Sequence, residues 1–277
     1  MKNDNSLGKT FYYLGRIFAI VLIVAIIGGI IQGVFGIADS IFDDDDDDDK
    51  KDKTTISSEY IDTLDGYCLD AELKATELTI STGDKFEYST NNEYIKVDQK
   101  DGKIVIKETL TSIPKSSDFK LNVTIPADRS FDVVSISTGA GDVTVDSLTA
   151  REFDFEIGAG DVTINNLAVT GEAEIDCGAG ELDINNASLN NLELNSGVGE
   201  INITSMFTGD CEINSGIGEV NVNAVGSAQD YTVSVSKGAG DVTVNGTKVS
   251  RDTTVGSGQN KIELNGGIGE ASISFTE

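Results

Sequence analysis

Residues 134–145 run Val-Ser-Ile-Ser-Thr-Gly-Ala-Gly-Asp-Val-Thr-Val. Apolar side chains at Val134, Ile136, Val143 and Val145 alternate with polar ones on both sides of a Gly-x-Gly-acid corner. Alternation with a period of two marks strands with one buried face, and β-branched residues suit that pleated surface. The unit recurs as Gly158-Ala-Gly-Asp161, Gly178-Ala-Gly-Glu181, Gly197-Val-Gly-Glu200, Gly216-Ile-Gly-Glu219, Gly238-Ala-Gly-Asp241 and Gly267-Ile-Gly-Glu270. Successive first glycines lie 19, 20, 19, 19, 22 and 29 residues apart. Every copy carries apolar residues at the four positions named in the first.

A regular period near 20 residues is the signature of a solenoid, whose units bury their apolar faces only against their neighbours. The pattern predicts an all-β fold, a single-stranded parallel β-helix or β-solenoid of about 19–20 residues per coil over residues 133–277. Coils then stack about 4.8 Å apart. The last gap reads as one coil plus an insertion around Thr247 to Ser257. The glycines supply φ > 0 at a corner. A phosphate-binding glycine loop opens a helix; here a strand follows, which excludes nucleotide binding. Residues 54–132 are also strand-like, with turn signals at Thr82-Gly-Asp84, Asn91-Asn92 and Asp101-Gly102. They read as an irregular start and cap that hides the open sheet edge, with a separate small β-domain as the alternative.

The acid after each corner forms the candidate site: Asp142, Asp161, Glu181, Glu200, Glu219, Asp241 and Glu270. Stacked carboxylates would repel by about 0.9 kcal/mol per neighbouring pair even at the dielectric of water. Hydrogen bonds from turn amides with solvation would offset this, as would a line of Ca²⁺ ions along the edge. The calcium-binding nonapeptide G-G-x-G-x-D-x-U-x sets its acid at a different spacing, so the hydrogen-bonded arrangement is preferred. No metal or cofactor is expected. Cys68, Cys177 and Cys211 lack CxxC spacing and the chain has no His, which argues against a zinc site. They read as small core hydrophobes.

Residues 17–37 are an apolar run whose only strongly polar side chain is Gln32. As a helix this spans a hydrocarbon core of about 30 Å. Lys2, Lys9 and Arg16 precede it and an acidic stretch follows. The positive-inside tendency therefore puts residues 1–16 in the cytoplasm, makes 17–37 a single-pass transmembrane anchor and places the rest outside the cell. A cleaved signal peptide ending near Gly36-Ile37-Ala38 is the alternative. Residues 38–53 include seven consecutive carboxylates, Asp43 to Asp49. Their repulsion makes this an extended spacer. The formal net charge of −27 argues against nucleic acid as a partner.

The order of anchor, Leu73 to Asp84, Asp101 to Lys107, Leu121 to Pro126 and the Gly-x-Gly-acid copies resembles a bacterial adhesin-type domain of unknown function with β-strand repeats. LiaG-like and Toastrack-type surface proteins belong to that family. The resemblance covers roughly residues 56–277. It implies an extracytoplasmic β-solenoid, often linked to envelope stress, and carries over no catalytic residues.

Three functions are then weighed. The first is a non-catalytic surface interaction or scaffold module whose partner is a protein or a cell-envelope polymer. The second is an accessory of a cell-envelope stress response that works with membrane partners. The third, a glycan-active β-helix enzyme, fits poorly. Glycan cleavage needs acid and base groups set apart by unlike environments, and the ectodomain arginines Arg129, Arg151 and Arg251 share no repeat column.

Overall fold

The computed structural model describes residues 57–60, 68–100, 102–111 and 118–276. The expected cytoplasmic segment, anchor and spacer (1–16, 17–37 and 38–53) lie outside these residues. Among the described residues no helix is long and apolar enough to cross a membrane.

The fold is all-β. Its strands join one 21-stranded, solenoid-like sheet. Successive copies pair parallel and in register: Phe155 faces Ile136 on one side and Ile175 on the other, and Val162 faces Val143 and Leu182. All four apolar columns legible in the sequence are buried in every copy. The sequence reading missed a third strand stack, in which Leu148, Leu167, Ala187 and Ser205 lie in one column and Ala150, Val169, Leu189 and Phe207 in the next. All eight are buried. Each of these segments pairs over only three or four residues, too short for alternation to stand out.

At the corners φ > 0 belongs only to the second glycine. Gly141, Gly160, Gly180, Gly199, Gly218, Gly240 and Gly269 have φ between +109° and +153°. Crowding adds to the requirement. A Cβ on Gly199 would lie 1.8 Å from the carbonyl oxygen of Gly180 in the coil below. The first glycine is there for space alone: a Cβ on Gly216 would lie 2.4 Å from the oxygen of Gly197.

Spatial order departs from chain order at both ends. Asn260–Ile268 and Ala271–Thr276, the last strands of the chain, insert between Asp210–Val225 and the coil made by Tyr231–Ala239 and Val242–Val244. At the other end Cys68–Leu73 and Glu77–Gly83 lie between Phe131–Ala140 with Val143–Val145 and the outermost pair, Lys103–Glu108 with Lys120–Pro126. Open parallel edges would be templates for aggregation. Antiparallel strands cover them: Ile95–Lys100 and Glu87–Thr90 at one end, Asp252–Gly256 and Thr247–Lys248 at the other. The insertion read from the last sequence gap is therefore an edge cover.

The first corner, Lys74-Ala75-Thr76-Glu77, lacks glycine and is held by a side chain. Glu108, 1% exposed, accepts from the backbone N–H of Lys74 at 2.6 Å and of Ala75 at 3.1 Å, and from Asn92 Nδ2 at 2.9 Å. Removing the carboxylate strands the buried Asn92 amide and two part-buried backbone N–H groups, so Glu108→Ala should lower stability by about 2–4 kcal/mol, read as a shift in the denaturation midpoint. Gly246 has φ +72° with nothing within 4 Å of an added Cβ. Gly246→Ala should therefore cost about 1–2 kcal/mol of backbone strain. Gly199→Ala adds a backbone clash and should cost at least about twice as much, measured in the same assay.

Candidate functional site

The strand exchange reorders the predicted acids. Along the stack they run Asp142, Asp161, Glu181, Glu200, Glu219, Glu270 and Asp241, set by the pairing of the residues that follow them. All seven are exposed. Glu77 extends the column as an eighth member, because Leu78 pairs with Val143. Its signal was the Leu-Thr-Ile that follows it, matching Val143-Thr-Val145. A lysine closes each end of this row. Lys120 pairs with Glu77 in register and bridges it at 3.1 Å, and Lys248 bridges Asp241 at 2.6 Å.

Hydrogen bonds relieve the interior of the row, with backbone donors from the next coil and side-chain amides from the same coil. The backbone N–H of Asp161 donates to Asp142 Oδ1 at 3.1 Å, and that of Glu181 donates to Asp161 Oδ1 at 3.1 Å. Asn202 Nδ2 donates to Glu200 at 3.0 Å and Asn221 Nδ2 to Glu219 at 2.9 Å. Among the described residues no group of three or more His, Cys, Asp or Glu side chains is arranged to hold a metal ion. The cysteines are free; Cys177 and Cys211 are buried, and burial pushes the Cys177 thiol up to about 12.

A second acidic row was not anticipated. Asp154, Glu174, Glu193, Glu212 and Glu263 occupy consecutive rungs four residues before the corner. Lost solvation, then the charge of Asp176, raises the carboxyls of Asp154 and Glu174 above the ordinary range. Glu181 is raised chiefly by Asp183, then by lost solvation and by Glu200 and Asp161.

Amide ladders run beside these rows, one between them and one beyond the first. Asn195 donates to Asp176 at 2.9 Å, Asn214 to Asn195 at 2.9 Å, and Asn265 to Asn214 at 3.0 Å. On the other side of the corner Asn202 donates to Asp183 at 2.9 Å, Asn221 to Asn202 at 3.0 Å, and Ser272 to Asn221 at 2.6 Å. Asp176 and Asp183 suit the starting rung because an ionised carboxylate only accepts.

An all-β, solenoid-like domain with acidic rows on its exterior is the class these features define. The model of the Toastrack DUF4097 family matches residues 105–270, more than half of the chain. The chain belongs to that family. Among solved structures, a "putative cell adhesion protein" from Clostridium sporogenes is 17% identical with a TM-score of 0.35, over 80% of this chain and 99% of that one. A "putative adhesin" from Bacteroides fragilis is 15% identical with a TM-score of 0.33, over 82% and 98%. No curated protein matches it.

The raised carboxyls set a pH dependence. A carboxyl whose folded pKa exceeds its unfolded value contributes most stability below the unfolded pKa and loses that contribution as pH rises through the folded one. For Asp154, Glu174 and Glu181 that loss begins above their ordinary values of 3.8, 4.5 and 4.5. Thermal melts should therefore show Tm rising as pH falls from about 7 to about 4.5. At neutral pH added NaCl should raise Tm by screening. Millimolar CaCl₂ should add nothing beyond NaCl of equal ionic strength.

Proposed function

We propose that this chain is a membrane-anchored, extracytoplasmic surface interaction or scaffold module with no catalytic role, built as a single-stranded parallel β-helix. Residues 17–37 supply the single-pass anchor and residues 38–53 the hydrated spacer that holds the coils away from the lipid. The in-register parallel pairing of coils 19 to 20 residues apart supports the β-helix.

The observation that carries the reading is the laddered outer surface. Side chains that would be mobile on an ordinary surface are tied to one another along the stack. Binding then loses less side-chain entropy, which is the advantage of preorganisation. The partner is a protein or an envelope polymer.

Crosslinking the full-length chain in its native membrane tests this. Recovery of a specific protein or wall polymer is the expected outcome. Turnover of an envelope glycan by the purified chain, or retention of the protein in the cytoplasm, would sink the reading.

A further inference from the structure

At every corner the residue between the glycines is half-buried or exposed. In spatial order these are Ala140, Ala159, Ala179, Val198, Ile217, Ile268 and Ala239. The three large ones are consecutive only because the last coil inserts before the coil that precedes it in the chain; in chain order Ala239 would separate Ile217 from Ile268. They are also the most exposed large hydrophobic residues described: Val198 at 50%, Ile217 at 51% and Ile268 at 59%. A lone exposed apolar residue needs no explanation, but a contiguous ridge points to an interaction site. Two residues further on, the same three corners expose Glu200, Glu219 and Glu270.

We propose that this ridge, with its row of carboxylates, docks a basic amphipathic helix of a partner protein; the proposal rests on the interaction-module reading. Charge selects the partner. The formal net charge is −27, and a second copy would bring carboxylate row against carboxylate row. A helix with one apolar stripe and Lys or Arg beside it meets both rows with the opposite pattern. Spacing selects the helix. Rungs recur about every 4.8 Å and helical turns about every 5.4 Å, so three turns drift about 1 Å from three rungs. Same-side residues of an extended strand recur about every 6.7 Å and drift about 4 Å over that length.

The test uses the full-length chain in nanodiscs of zwitterionic lipid, with empty nanodiscs as the blank. The probe is a labelled Leu/Lys helix-forming peptide with one apolar face, titrated by fluorescence anisotropy. The variant V198A/I217A/I268A installs the residue already present at Ala159 and Ala179, so its Tm should stay near wild type. Its Kd should rise about tenfold or more. The variant E200Q/E219Q/E270Q should also bind more weakly and with a shallower salt dependence. Equal Kd for wild type and the alanine variant would overturn the proposal. So would a wild-type dimer, without peptide, that the alanine variant abolishes, since the ridge would then belong to a second copy. Equal capture of the native partner by both proteins in membrane crosslinking would overturn the ridge assignment while leaving the interaction-module reading intact.

Discussion

Backbone stacked directly on backbone at the corners is the contact on which the rest depends. Gly160 lies on Gly141, Gly180 on Gly160, Gly199 on Gly180 and Gly218 on Gly199, each so close that a Cβ would enter the carbonyl oxygen below. This approach lets the sheet turn the corner while every rung keeps the same register. Once register is held, the apolar columns face inward together, and each polar column becomes a row of like residues. The burial of the core, the amide ladders and the acidic rows all follow from that one constraint.

A stack of this kind has two ends, and both are closed by the same device. An insertion out of chain order gives the sequence-terminal coil a parallel neighbour on each side. Short antiparallel strands then cover the coil left outermost. Non-local pairing of this sort must close a long loop before it is rewarded: Ile213 pairs with Leu264 across about 50 intervening residues. In return the last coil contributes two interfaces instead of one.

The order of insertion also sorts the surface by type. Residues 214–222 (NSGIGEVNV) and 265–273 (NGGIGEASI) are alike and lie side by side, whereas residues 238–244 (GAGDVTV) stand outside them. Like on like continues the asparagine ladder from Asn214 to Asn265, the second acidic row from Glu212 to Glu263 and the apolar ridge from Ile217 to Ile268. The cost is a surface of stacked carboxylates. Amides of the next coil and the lysines at the ends relieve it in part, and the raised carboxyl of Glu181 marks what is left.

Much of this was legible in the chain. Alternation around Gly-x-Gly located the strands and all four buried columns, because side-chain direction in a strand depends only on parity. The seven exposed acids followed from the same count. The third stack escaped because runs such as Leu167–Val169 are too short to show a period. Glu77 escaped because its corner uses Thr76, held by Asn92 at 2.9 Å, in place of the second glycine. The second acidic row was visible as residues but not as neighbours. Local sequence thus determined the unit, its corner and its inward face, which are settled within about 20 residues by sterics and alternation. Tertiary structure alone decided which coil lies on which, since parallel edges of similar coils accept one another and the choice rests on matching side chains across 50 residues of chain. That choice, more than any motif, makes a continuous ridge of Val198, Ile217 and Ile268.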